Sequence, residues 1–110
     1  MPKLCRIDIE NRQEIYGKIK DFIQRLKIEL SVDFVYLFGS FAKNEVHEGS
    51  DIDLLIVGEF NEPFLKRIEK VLDLTELPIQ PLVYTNREFE EMVDARNPLI
   101  REILKTGEKY

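Results

Sequence analysis

"YLFGSFAKNEVHEGSDIDLLIVG", Tyr36 to Gly58, decides how this chain is read. An apolar, aromatic run breaks at Gly39-Ser40, crosses a polar loop and resumes around Asp51 and Asp53. Strands that enter a core rarely open on two acids, because a carboxylate taken out of water is costly unless it is paired or bound to a cation. Residues two apart on a strand share a face, so the carboxylates of Asp51 and Asp53 converge while Ile52 turns into the core. Like charges held together call for a cation between them, and oxygen donors of this hardness select Mg2+ or Mn2+. At the other end of the loop, a strand that ends in Gly-Ser and enters a short helix presents orphan backbone N–H groups, which suit a phosphate. Gly39 lets the ligand approach the main chain, and the Ser40 hydroxyl adds a donor. Each half of the pattern is common by itself. Strand, Gly-Ser, ten residues, Asp-x-Asp and apolar strand together lay out a site for a metal and a triphosphate.

The flanking sequence supplies a frame for that site. Ile15, Ile19, Phe22, Ile23, Leu26 and Leu30 fall at helical spacing, so a helix is expected from Asn11, as N-cap, to about Leu30. Phe34 to Phe38 and Asp51 to Val57 read as strands, the first aromatic-rich and buried. Glu62 to about Leu74 reads as a helix capped by Asn61. Ile79 to Tyr84 reads as a third strand, and Pro78 and Pro81 assign it to a sheet edge, since proline cannot donate to a ladder. Thr85-x-x-Glu88 is a capping box, with Tyr84 and Phe89 as a staple, for a short helix to about Ala95. Asn97-Pro98 opens a last helix that Gly107 ends. The result is a small α/β (α+β) domain, one mixed sheet of three or more strands flanked by helices and covered mainly on one face.

Size and charge bound the function. The 110 residues are expected to form one domain, 1–110. With 44% hydrophobic and 34% charged residues the chain is globular. Sixteen basic against 21 acidic residues, net −5, argue against bulk nucleic-acid binding, but not against a nucleotide held by a few donors and a metal. The single cysteine, Cys5, excludes an internal disulfide framework and fits a reducing compartment. No apolar run approaches the roughly 20 residues of a membrane span, and no signal-peptide pattern opens the chain. A cytoplasmic protein is expected.

The segment "GSFAKNEVHEGSDID", residues 39 to 53, resembles the signature of the nucleotidyltransferase superfamily that includes DNA polymerase beta. More closely it resembles the minimal nucleotidyltransferase family, whose pattern is Gly-Ser, ten residues, Asp-x-Asp. The resemblance implies that nucleoside monophosphate, most often AMP from ATP, is transferred to an acceptor hydroxyl. Gly39 and Ser40 would then hold the triphosphate, and Asp51 and Asp53 would bind the metals. Ser50 matches the family and would set the loop geometry, while Lys43 falls where the family commonly has arginine and would contact phosphate. The family also implies a helical partner of HEPN type, for which the nucleotidyltransferase acts as antitoxin by modifying a toxin tyrosine.

The pattern departs from the family at one place. Active members carry a third carboxylate on a later strand, and the polar residue at the start of that strand here is Gln80. An amide can donate and accept hydrogen bonds but cannot act as a base. Glu76 is the nearest acid, placed before Pro78 in a turn. Two functions therefore stand side by side: an enzyme that transfers AMP, and a catalytically weakened nucleotide-binding domain that neutralises its partner by binding. The apolar helix faces leave open whether the chain also pairs with a copy of itself.

Overall fold

The structure, a computed structural model, describes residues 12–42 and 51–110. The Asn11 cap and most of the polar loop, with Lys43, His47 and Ser50, lie outside the described residues. The elements run α1 (Arg12–Glu29), β1 (Val32–Phe38), β2 (Ile52–Gly58), α2 (Phe64–Leu72), β3 (Ile79–Thr85), α3 (Asn86–Asp94), α4 (Pro98–Thr106) and β4 (Glu108–Lys109). They match the expected order with one strand added. β4 pairs antiparallel with β1, Tyr36 opposite Lys109 and Leu37 opposite Glu108, giving the sheet order β3-β2-β1-β4. Two residues carry too little periodicity to announce a strand.

β1 and β2 are antiparallel, whereas β2 and β3 are parallel and joined through α2. β3 lies at the edge, where Pro81 has no ladder bond to lose. β2 is central, and Leu54, Leu55, Ile56 and Val57 are all fully buried. Such a run, buried on both faces, is what a strand between two helical layers requires. Ile52, Leu54 and Ile56 meet Ile19, Phe22, Ile23 and Leu26 of α1 and Val71 of α2 on one face. Leu55 and Val57 meet Ile100 and Ile103 of α4 on the other, with Phe89 and Met92 of α3 packed alongside. The expectation of a sheet covered mainly on one face is thus corrected. The last two helices close over the second face because the alternation of β1 and β2 leaves apolar side chains there as well.

The helix starts show which local signals hold. Thr85 accepts from the Glu88 N–H while the Glu88 carboxylate accepts from the Thr85 N–H, completing the capping box. The Asn97 side chain accepts from the N–H groups of Leu99 and Ile100, with Pro98 at the first helical position. Asn61 does not cap α2. That helix begins at Phe64 after Pro63, with no side-chain cap, because the proline ring sets the extended-to-helical transition itself.

Arg67 of α2 is the buried cation of the described residues. Its Nε donates to the Glu62 carbonyl at 2.7 Å, and its Nη1 donates to the Val83 carbonyl at 3.3 Å and to Glu88 Oε1 at 2.7 Å. One side chain therefore ties α2, β3 and the cap of α3 together. Arg67→Met should lower stability by about 2 kcal/mol, because two carbonyls lose their donor. The Arg67 hydrogen bonds, first of all, hold the Glu88 carboxyl below its ordinary range. A depressed carboxyl contributes stability that is present above its unfolded pKa and lost as the pH falls through the folded one. Melting temperature against pH should accordingly fall less steeply in acid for Arg67→Met than for the parent; an equal slope would refute the coupling. Among the described residues no helix is long and apolar enough to cross a membrane.

Candidate active site

The site forms where β1 ends and β2 and β3 begin. Antiparallel pairing sets Phe38 opposite Asp53, and parallel pairing sets Gln80 opposite Asp53 on the other side. Asp53 thus occupies the middle of a three-strand row, on the sheet face shared with Leu55 and Val57. Asp51 stands two residues earlier, exposed, just before the strand. Gln80 Nε2 donates to Asp51 Oδ2 at 3.2 Å, so the amide binds the first carboxylate while sitting in register with the second. Phe38, Ile79, Gln80, Pro81 and Leu82 line a concave site of ≈ 410 Å3 together with Asp53.

Gly39 follows Phe38 with φ +74°, a conformation that L side chains rarely adopt. A Cβ on Gly39 would overlap Asp53 Oδ2, so the turn leaves no room for a side chain beside the carboxylate. Gly39→Ala should therefore do two kinds of damage, backbone strain of about 1 kcal/mol or more and displacement of Asp53. Loss of nucleotide affinity well beyond what the drop in melting temperature explains is the expected result; normal affinity would show that the turn does not depend on this contact. Gly39 to Ala42 form turns, and the rest of the short helix expected after Gly39-Ser40 falls outside the described residues. Successive N–H groups of a turn can themselves cradle an anion.

Burial, and then the charge of Asp51, push the Asp53 carboxyl above its ordinary range. Among the described residues no group of three His, Cys, Asp or Glu side chains converges. Among the described residues, the side-chain donors at this end of the sheet are two carboxylates and one amide. A hard divalent cation fits them, since a cation would relieve the repulsion and desolvation that raise the Asp53 pKa.

Asp51, Asp53, Gly39 and Gln80, all picked from the sequence, meet at one place, and Ser40 lies in the same turn. Glu76 does not join them. It lines a separate cleft of ≈ 690 Å3 with Lys18, Asp21 and Arg25 of α1, on the opposite side of the sheet from Asp53. Tyr84 lies at the far end of β3, its ring against Phe64 at 5.5 Å between centroids. Phe38 and Leu82 were missed as lining residues. The parity of Phe34, Tyr36 and Phe38 could have found Phe38 once the pairing with β2 was known.

A nucleotidyltransferase reading of this arrangement agrees with the known proteins the chain resembles. The family model "Polymerase beta, Nucleotidyltransferase" matches residues 17–109, and the chain belongs to that family. It is 30% identical over 90 residues to a protein of Methanocaldococcus jannaschii named "Putative protein adenylyltransferase", an alignment covering 74% of this chain and 90% of the relative. Its fold is similar to a crystal structure described as "a putative nucleotidyltransferase from Sulfolobus solfataricus". The TM-score is 0.61 at 22% identity, over 76% of this chain and 78% of that one.

Proposed function

We propose that the protein is a metal-dependent nucleotidyltransferase that moves AMP from ATP to a hydroxyl of a partner protein. The observation that carries this reading is the contact of the Gly39 turn with Asp53, which sets a phosphate cradle directly against a carboxylate pair. In the transfer the acceptor oxygen bonds to the α-phosphorus, the bond to the β-phosphate bridge oxygen breaks, and pyrophosphate leaves. Gly39 and Ser40 would hold the β- and γ-phosphates, Lys43 would add a phosphate contact and Ser50 would set the geometry of the loop. Asp51 and Asp53 would hold Mg2+ or Mn2+, which when bound supplies charge neutralisation for the phosphoryl oxygens. The wall formed by Phe38 and Leu82 would exclude water from the α-phosphorus. Gln80 would orient the acceptor by hydrogen bonding, and the acceptor proton would pass to water or to a base on the partner. The M. jannaschii relative's name supports a protein as acceptor. A helical HEPN-type toxin is the partner proposed, and the chain would then serve as its antitoxin.

A second reading is favoured by Gln80 alone. With an amide in register with Asp53, the domain would bind nucleotide and neutralise its partner without transfer. Incubation with α-labelled ATP, Mg2+ and a lysate of the source cells tests the two readings. A labelled protein band supports transfer. Tight Mg–ATP binding with no band from any lysate supports the second reading and overturns the first.

A further inference from the structure

The geometry points to Tyr16 of α1 as a positioning residue for the phosphate-binding turn, an assignment that rests on the nucleotide reading above. Phe41, directly after Gly39-Ser40, is 1% exposed and belongs to the core on the α1 face of the sheet. Its ring meets the Tyr16 ring edge-on, with centroids 5.5 Å apart and planes at 70°. The Tyr16 hydroxyl donates to the backbone carbonyl of the same residue. Side chain and main chain of Phe41 thus both meet Tyr16, which couples the position of Phe41 to α1.

The turn is consequently fixed at both ends. Gly39 abuts Asp53 on one side, and Phe41 is tied to α1 on the other. The Ser40 amide and hydroxyl lie between these anchors. Peptide planarity adds a consequence, because the carbonyl and the following N–H of a trans peptide point in opposite directions. With the Phe41 carbonyl turned toward α1, the Ala42 N–H faces away from α1, as a donor of the turn. Amides aimed before an anion arrives bind it better than amides that must be ordered by it. A ring alone at position 16 would fill the space beside Phe41. The hydroxyl is what sets the orientation of the peptide.

The test is Tyr16→Phe, which keeps the ring and removes the hydroxyl that donates to the Phe41 carbonyl. Mg–ATP affinity, the KM and kcat of transfer, melting temperature and amide exchange at residues 40–42 would be measured on the full chain. The expected result is affinity for Mg–ATP weaker by about fivefold, the worth of one hydrogen bond, with KM raised alike and kcat within about twofold. Amides 40–42 should exchange faster while those in the middle of α1 do not. A second variant, Tyr16→Leu, should lose the ring contact too, melt lower and bind ATP no better than Tyr16→Phe. A lowered melting temperature with unchanged ATP affinity in Tyr16→Phe would reduce the hydroxyl to a packing role and overturn the inference. If the parent itself failed to bind Mg–ATP, the nucleotide reading would fall and the inference with it; equal binding by parent and variant would sink the inference alone.

Discussion

Asp53→Asn should lower nucleotidyl transfer by about a thousandfold or more, the scale of a lost metal-stabilised transition-state charge. The fold should survive, because the amide is isosteric and the carboxylate it replaces is uncomfortable where it stands. Burial first, and Asp51 second, push that carboxyl above its ordinary 3.8. A carboxyl with a raised folded pKa holds its proton more tightly in the folded chain than in the unfolded one. Its contribution to stability is therefore most favourable below the unfolded pKa and declines as the pH rises through the folded one. Asp53→Asn has no such decline. Its melting temperature should gain on the parent's as the pH is raised from acid toward neutral, with EDTA present. Adding Mg2+ at neutral pH should then raise the melting temperature of the parent and leave the variant where it was, since a ligand stabilises only the state that binds it. Transfer that persists at more than about a tenth of the parent rate would remove Asp53 from the mechanism.

Gln80→Glu carries the second large expectation, with the opposite sign. The backbone register already sets position 80 beside Asp53, so a carboxylate there completes the trio without any rearrangement of the strands. A positioned base contributes about a hundredfold to ten-thousandfold, and an increase in kcat of at least the lower figure is expected. The same change removes the 3.2 Å hydrogen bond to Asp51 and puts a third negative charge at the site. Without metal the variant should therefore melt below the parent at neutral pH, and Mg2+ should stabilise it more than it stabilises the parent. Unchanged turnover together with tighter Mg2+ binding would mean that the acceptor, or the partner that carries it, supplies the proton acceptor for the reaction.

These two expectations depend on different layers of information, and the division is physical. Gly39, Asp51 and Asp53 are legible in the chain because their signals are local: a period of two on a strand, a glycine at a break, an acid where apolar residues are due. The helix punctuation at Thr85 and Asn97 is legible for the same reason, since a cap is satisfied by N–H groups two or three residues away. Asn61 failed as a cap because Pro63 intervened, a competition between two local signals that only the backbone resolves. The strand Glu108–Lys109 was invisible because it exists through its partner: a two-residue segment is held by the ladder to Tyr36 and Leu37 and not by any pattern of its own.

The sequence by itself determined which polar groups stand at the strand ends: a Gly-Ser break, two aspartates two residues apart, and Gln80 at the start of the third strand. It determined the order of the helices and of the first three strands, and the edge position of the strand bearing Pro81. Only the tertiary structure decided that Gln80 stands in register with Asp53 and bonds Asp51, that Glu76 faces α1 on the other side of the sheet, and that helices cover both faces. The reason is that register, sidedness and layer order are set by contacts between residues far apart in the chain. Periodicity specifies which side chains share a face, but not what that face will meet.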